Sequence, residues 1–470
     1  MTVSLVFFFF CCGATFAFLL RYVRLTLSLS STAIGLLFLF HGPAYWYYTR
    51  QWGLGEGALF GMYNKAWGGG QDKALNQLSS NFHDRIYAAL INPEVISTMD
   101  IALALTMSLV CVGVWLADKV SNHSPATQVE AMRRWGATQV LPLKREMTAR
   151  LIIAAGFAIL FMLYFMAHDG QLLKVYSYFF TRAGEFEKIA MRREMGGSQI
   201  YAFNLMLCTF LAFMAFCLLA WWREGNQYGI RWLAWAIIFL VFAAKLATLS
   251  KAPAAVFVLQ LLVIEMARRS LQVSLRSMLL LGGGGGVLFS LMTFVANSNL
   301  GGVSQSLIFL FYRVFMIPNE SILEYFAAFP QQLPHTLGHD IRWLATLLGT
   351  EPLQANFWRV AELHRGVPGS STTAMFMANA WAAFSWSGVL ATSLAFGFLL
   401  RLIDIQLITR RGRTLVTIAG LGLGHYGIFI GLSTAFQTAL LTGGLLLILP
   451  LIALLEWRWP WRVSIDPTPS

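Results

Sequence analysis

The sequence predicts an all-α membrane protein: a polytopic bundle of about eleven transmembrane helices, forming a single membrane domain over residues 1–470. The chain is 57% hydrophobic and only 12% charged, with a mean hydropathy of +0.62. Soluble domains carry about 25% charged residues. The apolar residues occur in blocks of roughly 20, the length that crosses about 30 Å of hydrocarbon as a helix. Because lipid offers no hydrogen bonds to the backbone, each block is expected to be helical.

The spans follow one another along the whole chain. The first block, from Val3 to Leu20, has no basic residues before it and no small-residue cleavage site, so we expect a true span and not a signal peptide. Aromatic residues crowd the exit of the second span, as is typical of a helix end in the headgroup region. The predicted spans are 3–20, 30–48, 97–117, 150–167, 200–222, 232–249, 253–267, 277–297, 374–400, 414–432 and 434–455.

The basic residues predict the orientation. More than half of the 34 Lys and Arg lie in one set of mostly short connections, and this denser set is expected in the cytoplasm. The N-terminus then lies outside and the C-terminus inside, with three long external loops at 49–96, 168–199 and 298–373. The same bias explains the net charge of +12, so nucleic acid is not an expected partner. The five cysteines fall inside predicted spans and show neither disulfide nor zinc spacing.

The second external loop is unusually rich in arginine for a segment outside the cytoplasm. Arg182, Arg192 and Arg193 lie there together with Lys188. Neighbouring glutamates permit a lattice of helical salt bridges, which is the structural alternative. Guanidinium groups also bind phosphate oxygens in a bidentate way. The location favours an anionic ligand, and phosphates of a lipid-linked substrate are the expected one.

Two lysines flank a tight external turn between predicted spans, Lys245 before it and Lys251 after it. Lys245 can snorkel to the interface, or both ammonium groups can face an internal cavity. The helix that begins near Lys251 would also present its amide groups to an anion. A run of five glycines, from Gly282 to Gly286, predicts either close helix packing or an unwound stretch in the eighth span.

The longest external loop begins with apolar residues at helical spacing, interrupted by Arg313, Glu320 and Glu324. This pattern predicts a helix that lies on the membrane or packs under a loop. Arg313 can bind substrate or pair with either glutamate. The second part of the loop is rich in proline and carries further basic and titratable groups: His335, His339, Arg342, Arg359, His364 and Arg365.

The histidines of this loop are candidate bases, since their ordinary pKa lies near neutrality. His335 and His339 are four residues apart, but the motif lacks the glutamate and third ligand of zinc hydrolases. Solvated or hydrogen-bonded loop histidines are the alternative. We expect no metal and no cofactor, because the chain contains no P-loop, GxSxG, dinucleotide-binding or CxxC motif.

The order of these parts resembles a known family. The arginine-rich loop ends in Gly-x-x-x-Tyr (Gly197 to Tyr201), two spans are joined by Leu249-Ser250-Lys251, and a long loop opens with Arg313. A helix containing Phe384-Ser385-Trp386-Ser387-Gly388 follows. Over residues 176 to 400 this is similar to the bacterial O-antigen and exopolysaccharide repeat-unit polymerases (Wzy-type). The family's turn often reads Gly-Ser-Arg, and its later helix often carries Phe-Gly-x-x-Gly, of which Phe384 and Gly388 are kept.

The resemblance implies a GT-C-like, metal-independent glycosyltransferase of the bacterial inner membrane. It would join undecaprenyl-pyrophosphate-linked oligosaccharides at the periplasmic face, with the long loops in the periplasm and a chain-length regulator as a possible partner. The expected pyrophosphate ligands are Arg182, Arg192, Arg193, Lys245, Lys251 and Arg313. The expected catalytic groups are His335, His339, Glu320 and Glu324.

Two other functions fit the same sequence features. The related O-antigen ligases use similar chemistry with a different acceptor. A secondary transporter or flippase for an anionic solute or glycolipid would also use intramembrane cations and a flexible glycine run.

Overall fold

The computed structural model describes residues 2–54, 73–138, 140, 145–168, 205–225, 228–246, 251–274, 282–283, 286–287, 303–366 and 370–456. Within these ranges the secondary structure is helical, without strands. Six helical stretches are long and apolar enough to cross a membrane: Val3–Val23, Pro93–Val120, Met147–Tyr164, Met206–Gly225, Phe376–Arg410 and Leu415–Ser433. Each coincides with a predicted span, so the chain is an all-helical, multi-pass membrane protein. The total of eleven spans stays a prediction.

The first half of the described helices runs as follows: α1 Val3–Phe18, α2 Leu29–His41, α3 Pro43–Tyr47, α4 Lys73–Ile91, α5 Pro93–Val120, α6 Pro125–Ala137, α7 Arg145–His168, α8 Ala212–Gly225 and α9 Tyr228–Leu246. The second half is α10 Lys251–Arg269, α11 Val303–Phe311, α12 Ile317–Ala328, α13 Arg342–Leu347, α14 Asn356–Arg365, α15 Phe376–Asp404, α16 Leu415–Ser433, α17 Phe436–Leu440 and α18 Ile448–Glu456. Turns of π-helix extend α1, α3, α11 and α15 at their C-terminal ends and precede α8.

Two predicted spans differ from the structure. The predicted helix 30–48 is interrupted at Gly42 (φ −93°, ψ −99°), because the residue before Pro43 is driven out of the helical region. The predicted helix 434–455 is wrong as a continuous element: α17 and α18 are separated by a turn in which Gly444 has φ +79°. That left-handed backbone suits glycine and ends a helix. The glycine run at 282–286 and most of the predicted span 277–297 lie outside the described residues.

Helices α5 and α15 form the closest pair of the bundle and run parallel. Thr106 meets Ser393 near the middle of both helices, and Asp118 meets Arg401 near their C-terminal ends. Between them, a Cβ on Gly397 would lie 2.1 Å from the carbonyl oxygen of Val110. Glycine therefore lets the backbones approach more closely than any side chain would permit, as is common between membrane helices.

Buried charges fix the end of this pair that carries Arg401. Arg401 binds Asp118 through two hydrogen bonds, Nε to Oδ1 at 2.8 Å and Nη2 to Oδ2 at 3.1 Å. Asp404 accepts the backbone N–H groups of Leu29 and Ser30 at 2.7 and 2.8 Å, and so satisfies the first turn of α2. These contacts join α2, α5 and α15, whereas α8, α9, α10 and α16 pack on one another.

Helices α11 and α12, with the π-turn between them, confirm the helix predicted for residues 306–329. α12 is buried from Asn319 to its C-terminal end at Ala328 and contacts α2, α4, α5, α14 and α15. It therefore packs under other segments and does not lie on the membrane surface. The described part of the longest loop, from 329 to 366 and from 370 to 375, folds back over it.

Candidate functional site

Two glutamates of α12 stand one helical turn apart in the interior. Glu320 is 1% exposed and Glu324 is 0% exposed. Tyr312 donates a hydrogen bond to Glu320 Oε2 at 3.2 Å, and Tyr48 donates to the same oxygen at 3.5 Å. Burial, and secondarily the negative charge of Glu324, raise the pKa of Glu320 to about 8. The raised pKa favours the protonated form of the Glu320 carboxyl at neutral pH.

Glu324 is held as an ion pair. Arg365 Nη2 donates to Oε1 at 2.9 Å, and Thr372 Oγ1 donates to Oε2 at 2.7 Å. The carbonyl oxygen of Glu324 accepts a hydrogen bond from His364 Nε2 at 2.9 Å, so the proton of this imidazole lies on Nε2. Burial lowers the pKa of His364, which keeps the ring neutral. α14 is thus fastened to α12 by two neighbouring side chains.

Helix α15 is broken inside its membrane-spanning stretch. Phe384 (φ −130°, ψ 15°) and Ser385 (φ 55°, ψ −141°) leave the helical region. The break frees the carbonyl groups of Ala382 and Ala383 from the helical ladder. Exposed carbonyls inside a spanning helix need other partners, and such breaks occur where a segment or a cavity adjoins the helix.

The partners of these carbonyls come from the long loop between α12 and α15. The N–H of Thr336 donates to the carbonyl of Ala382 at 3.1 Å, and the N–H of Leu337 donates to that of Ala383 at 2.8 Å. Gly338 follows with φ +84°, and a Cβ there would lie 2.8 Å from the Phe384 ring. Residues 335–339 (H-T-L-G-H) are therefore a docking segment for the break in α15, and Gly338 is required by the close approach to Phe384.

The docking segment brings several titratable groups together. His335 Nδ1 donates to the carbonyl of Ala382 at 3.3 Å, and its ring stacks on Phe329 at 6.1 Å. The guanidinium of Arg359 lies over the same Phe329 ring at 5.8 Å. Asp340 accepts a hydrogen bond from Thr336 at 2.6 Å, and burial raises its pKa. Arg359 and the neighbouring His339 act electrostatically on Asp340 in the opposite sense.

These groups remain partly accessible, in contrast to the glutamates of α12. The side chains of His335, His339, Asp340 and Arg359 are all intermediate in exposure. Arg342, at the start of α13, is exposed. Neither Arg342 nor Arg359 has an ion-pair partner among the described residues. Arg359 donates a hydrogen bond to Asn356 Oδ1 at 3.4 Å. Histidine and guanidinium groups that are not neutralised by a direct ion pair are thus partly exposed around the docking segment.

Of the six predicted cationic ligands, the structure describes the side chains of two, Arg313 and Lys245. Arg313 is exposed, lies over the Phe309 ring at 5.4 Å and pairs with neither glutamate of α12. Lys245 is fully buried, with its ammonium 4.6 Å from the Tyr426 ring and 3.7 Å from Cys208 Sγ. Lys251 begins α10 as expected, but its side chain is not among those that the structure describes. Arg182, Arg192 and Arg193 also lie outside the described residues, so convergence on one anion stays a prediction.

Sequence reasoning missed the partners of the buried carboxylates. Arg365 was one of several basic residues in the long loop, and nothing in its spacing indicates Glu324, 41 positions away. Asp100 forms a second buried cluster, with Tyr45 at 2.6 Å, Ser4 at 3.0 Å and Arg50 at 3.3 Å. The signal for Asp100 was available, because an ionisable residue inside a predicted span marks a polar contact.

Comparison with known proteins identifies no relative: no protein-family model, no curated protein and no solved structure matches this chain. Within the described ranges, no group of three or more His, Cys, Asp or Glu side chains is arranged to hold a metal ion.

Proposed function

We propose that this protein is a membrane glycosyltransferase that polymerises undecaprenyl-pyrophosphate-linked oligosaccharide repeat units at the external face of the bacterial inner membrane. The proposal rests on the resemblance of residues 176 to 400 to repeat-unit polymerases and on one structural observation. That observation is the docking segment at the break in α15, where His335, His339 and Arg359 are partly exposed beside one another.

The chemistry of these groups supports the proposal. A guanidinium binds phosphate oxygens as a planar fork. Among the described residues, neither Arg342 nor Arg359 forms a direct ion pair, although Arg359 acts electrostatically on Asp340. Arg313 adds a third exposed guanidinium in the external part of the chain. An imidazole with an accessible ring is the usual general base for a hydroxyl near neutral pH.

The reaction makes one bond and breaks one bond. A hydroxyl oxygen of one repeat unit attacks C1 of the glycan on a second lipid carrier, and the bond from C1 to the phosphate oxygen breaks. The hydroxyl proton passes to a base, for which we assign His339 or His335, and undecaprenyl pyrophosphate leaves as the anion. Guanidinium groups stabilise the charge that gathers on the leaving phosphate, and they do so more strongly in the transition state than in the ground state.

The glutamates of α12 receive a different role. Glu320 and Glu324 were expected among the catalytic groups, but both are enclosed and bonded to Tyr312, Tyr48, Arg365 and Thr372. A carboxylate without access to solvent is poorly suited to touch a hydroxyl of a large glycan. We therefore assign Glu324 to the positioning of α14, and Glu320 to the support of α12.

Reconstitution tests the proposal directly. Purified protein in liposomes is supplied with lipid-linked repeat units extracted from the bacterium that makes them, and the products are separated by size. We expect a ladder of longer glycans from the wild type and only single units from H335A/H339A. R359Q should lower the yield of polymer, whereas R134Q should not, because Arg134 is exposed on α6 and paired with Glu130. A wild-type protein that forms no new glycosidic bond would refute the proposed activity.

Transport is the second candidate, favoured by the break in α15 and by the buried Lys245. Discontinuous helices and enclosed charges are typical of substrate pathways in secondary transporters. The same liposomes separate the two functions. Flux of lipid-linked glycan or anionic solute without new glycosidic bonds would favour the transporter, and transfer of a glycan to a lipid acceptor instead of a second repeat unit would favour the ligase.

A further inference from the structure

The stretch from residue 337 to residue 348, which overlaps the docking segment, is strongly apolar on its outer side. Between residues 337 and 348, four large side chains are exposed: Leu337 63%, Trp343 59%, Leu347 76% and Leu348 53%. The opposite side is packed, since Ala345 is fully buried and Leu344 lies against Gly338. This stretch belongs to none of the six helical stretches that could cross a membrane. Its exposed apolar surface therefore needs its own explanation.

The depth of the stretch follows from its attachment to α15. Leu337 is hydrogen-bonded to Ala383, next to the break at Phe384 and Ser385. From Ser385 the helix runs on to Asp404, about 29 Å at about 1.5 Å per residue. The hydrocarbon layer is about 30 Å thick. When the buried charges of Arg401 and Asp404 lie near one boundary of that layer, the break and its docked segment lie near the other boundary.

The residue types of this stretch suit a position at the boundary of the hydrocarbon layer. Tryptophan prefers the boundary between headgroups and acyl chains, because its ring has both an apolar surface and a polar N–H group. Arg342 precedes Trp343, is exposed, and has no ion-pair partner among the described residues. Lipid phosphates are the anions present at that level. Leucines on the same face can enter the acyl region by the thickness of a side chain, as in helices that lie in the interface.

We propose that residues 337–348 form a monotopic membrane element, with Trp343, Leu347 and Leu348 inserted among the lipids of the external leaflet. The occupant of this surface is the bilayer itself and not a second protein. The element holds His339, which belongs to it, and the neighbouring His335 at the level of the lipid headgroups. This inference depends on the position of α15 in the membrane and not on the proposed enzymatic activity.

Site-directed spin labelling tests the proposal. The five native cysteines are buried, so a single introduced cysteine can be labelled selectively. The variant L347C carries the label on the apolar face, and E351C carries it on an exposed glutamate just beyond the element. In liposomes, the collision rate of each spin label is measured with oxygen, which concentrates in the acyl region, and with a nickel chelate, which stays in water. The two rates are then compared.

We expect oxygen to exceed the nickel chelate at position 347 and the order to reverse at position 351. The label of L348C should show the same preference for oxygen as the label of L347C, so that the result does not depend on a single substitution. Equal behaviour of 347 and 351, with the chelate dominant at both, would overturn the proposal. A label at 347 that neither reagent reaches would also overturn it, because protein would then cover the surface.

Discussion

The protonated Glu320 provides the sharpest test of the interior around α12. The substitution Glu320→Gln keeps the shape of the protonated side chain and removes its titration. Four groups act on this carboxyl: Tyr312 and Tyr48 donate to it, the charge of Glu324 raises its pKa, and that of Arg365 lowers it. Burial is the largest cause of the raised pKa. The residue lies outside the six membrane-crossing stretches.

The size of the effect follows from proton linkage. In the unfolded chain the carboxyl releases its proton near pH 4.5, whereas in the native protein it keeps the proton up to about pH 8. Between these values the native state binds one more proton, so the free energy of unfolding falls as the pH rises. Each pH unit corresponds to about 1.4 kcal/mol, or on the order of 5 kcal/mol across the window. The stabilising contribution is complete below pH 4.5 and lost by pH 8.

Thermal unfolding of detergent-solubilised protein, followed by tryptophan fluorescence between pH 5 and 9, measures this effect. E320Q and the wild type should melt at similar temperatures at pH 5. The variant should become progressively more stable than the wild type up to about pH 8, after which the difference should stay constant. E351Q serves as the control, because Glu351 is exposed and its removal should leave the curves parallel. Parallel curves for E320Q as well would refute the protonated assignment.

Two further predictions concern the pairing of α5 and α15. R401M leaves the buried Asp118 without its cation and should cost about 3–5 kcal/mol of stability. The double variant R401M/D118N should recover most of this loss. Equal melting temperatures of the wild type and R401M would contradict the prediction. G397A places a methyl group 2.1 Å from the carbonyl oxygen of Val110 and should lower the melting temperature. The control G156A should leave the melting temperature unchanged, because no atom lies within 4 Å of the new Cβ. The same change in both variants would show that the helices do not pack as closely as described.

Much of the helical architecture was predictable because its signals are local. A run of apolar residues from Val3 or Pro93 reports the need to cross lipid, and each helix satisfies its own backbone. The helix at 306–329 was predictable for the same reason, because the apolar spacing that indicates it lies within the segment itself. The continuous helix predicted for 434–455 was wrong because hydropathy does not register a left-handed backbone at Gly444.

The candidate site was predictable in its residue types but not in its contacts. His335 and His339 were identified from the long loop predicted to be external. The hydrogen bonds of residues 335–337 to the carbonyl groups of Ala382 and Ala383, however, depend on a break in α15. The residues Phe384 and Ser385 were noticed only through a family pattern. Whether a helix breaks there depends on whether another segment supplies the missing hydrogen bonds.

Sequence alone determined that this chain is a helical membrane protein, since hydrophobic length and helical backbone bonding are properties of each segment by itself. Only the tertiary structure decided which charges meet. Asp118 and Arg401 are 283 positions apart, and Glu324 and Arg365 are 41 apart. Such pairs depend on how whole helices approach one another, here through glycines that let two backbones touch, and no local pattern of residues encodes that distance.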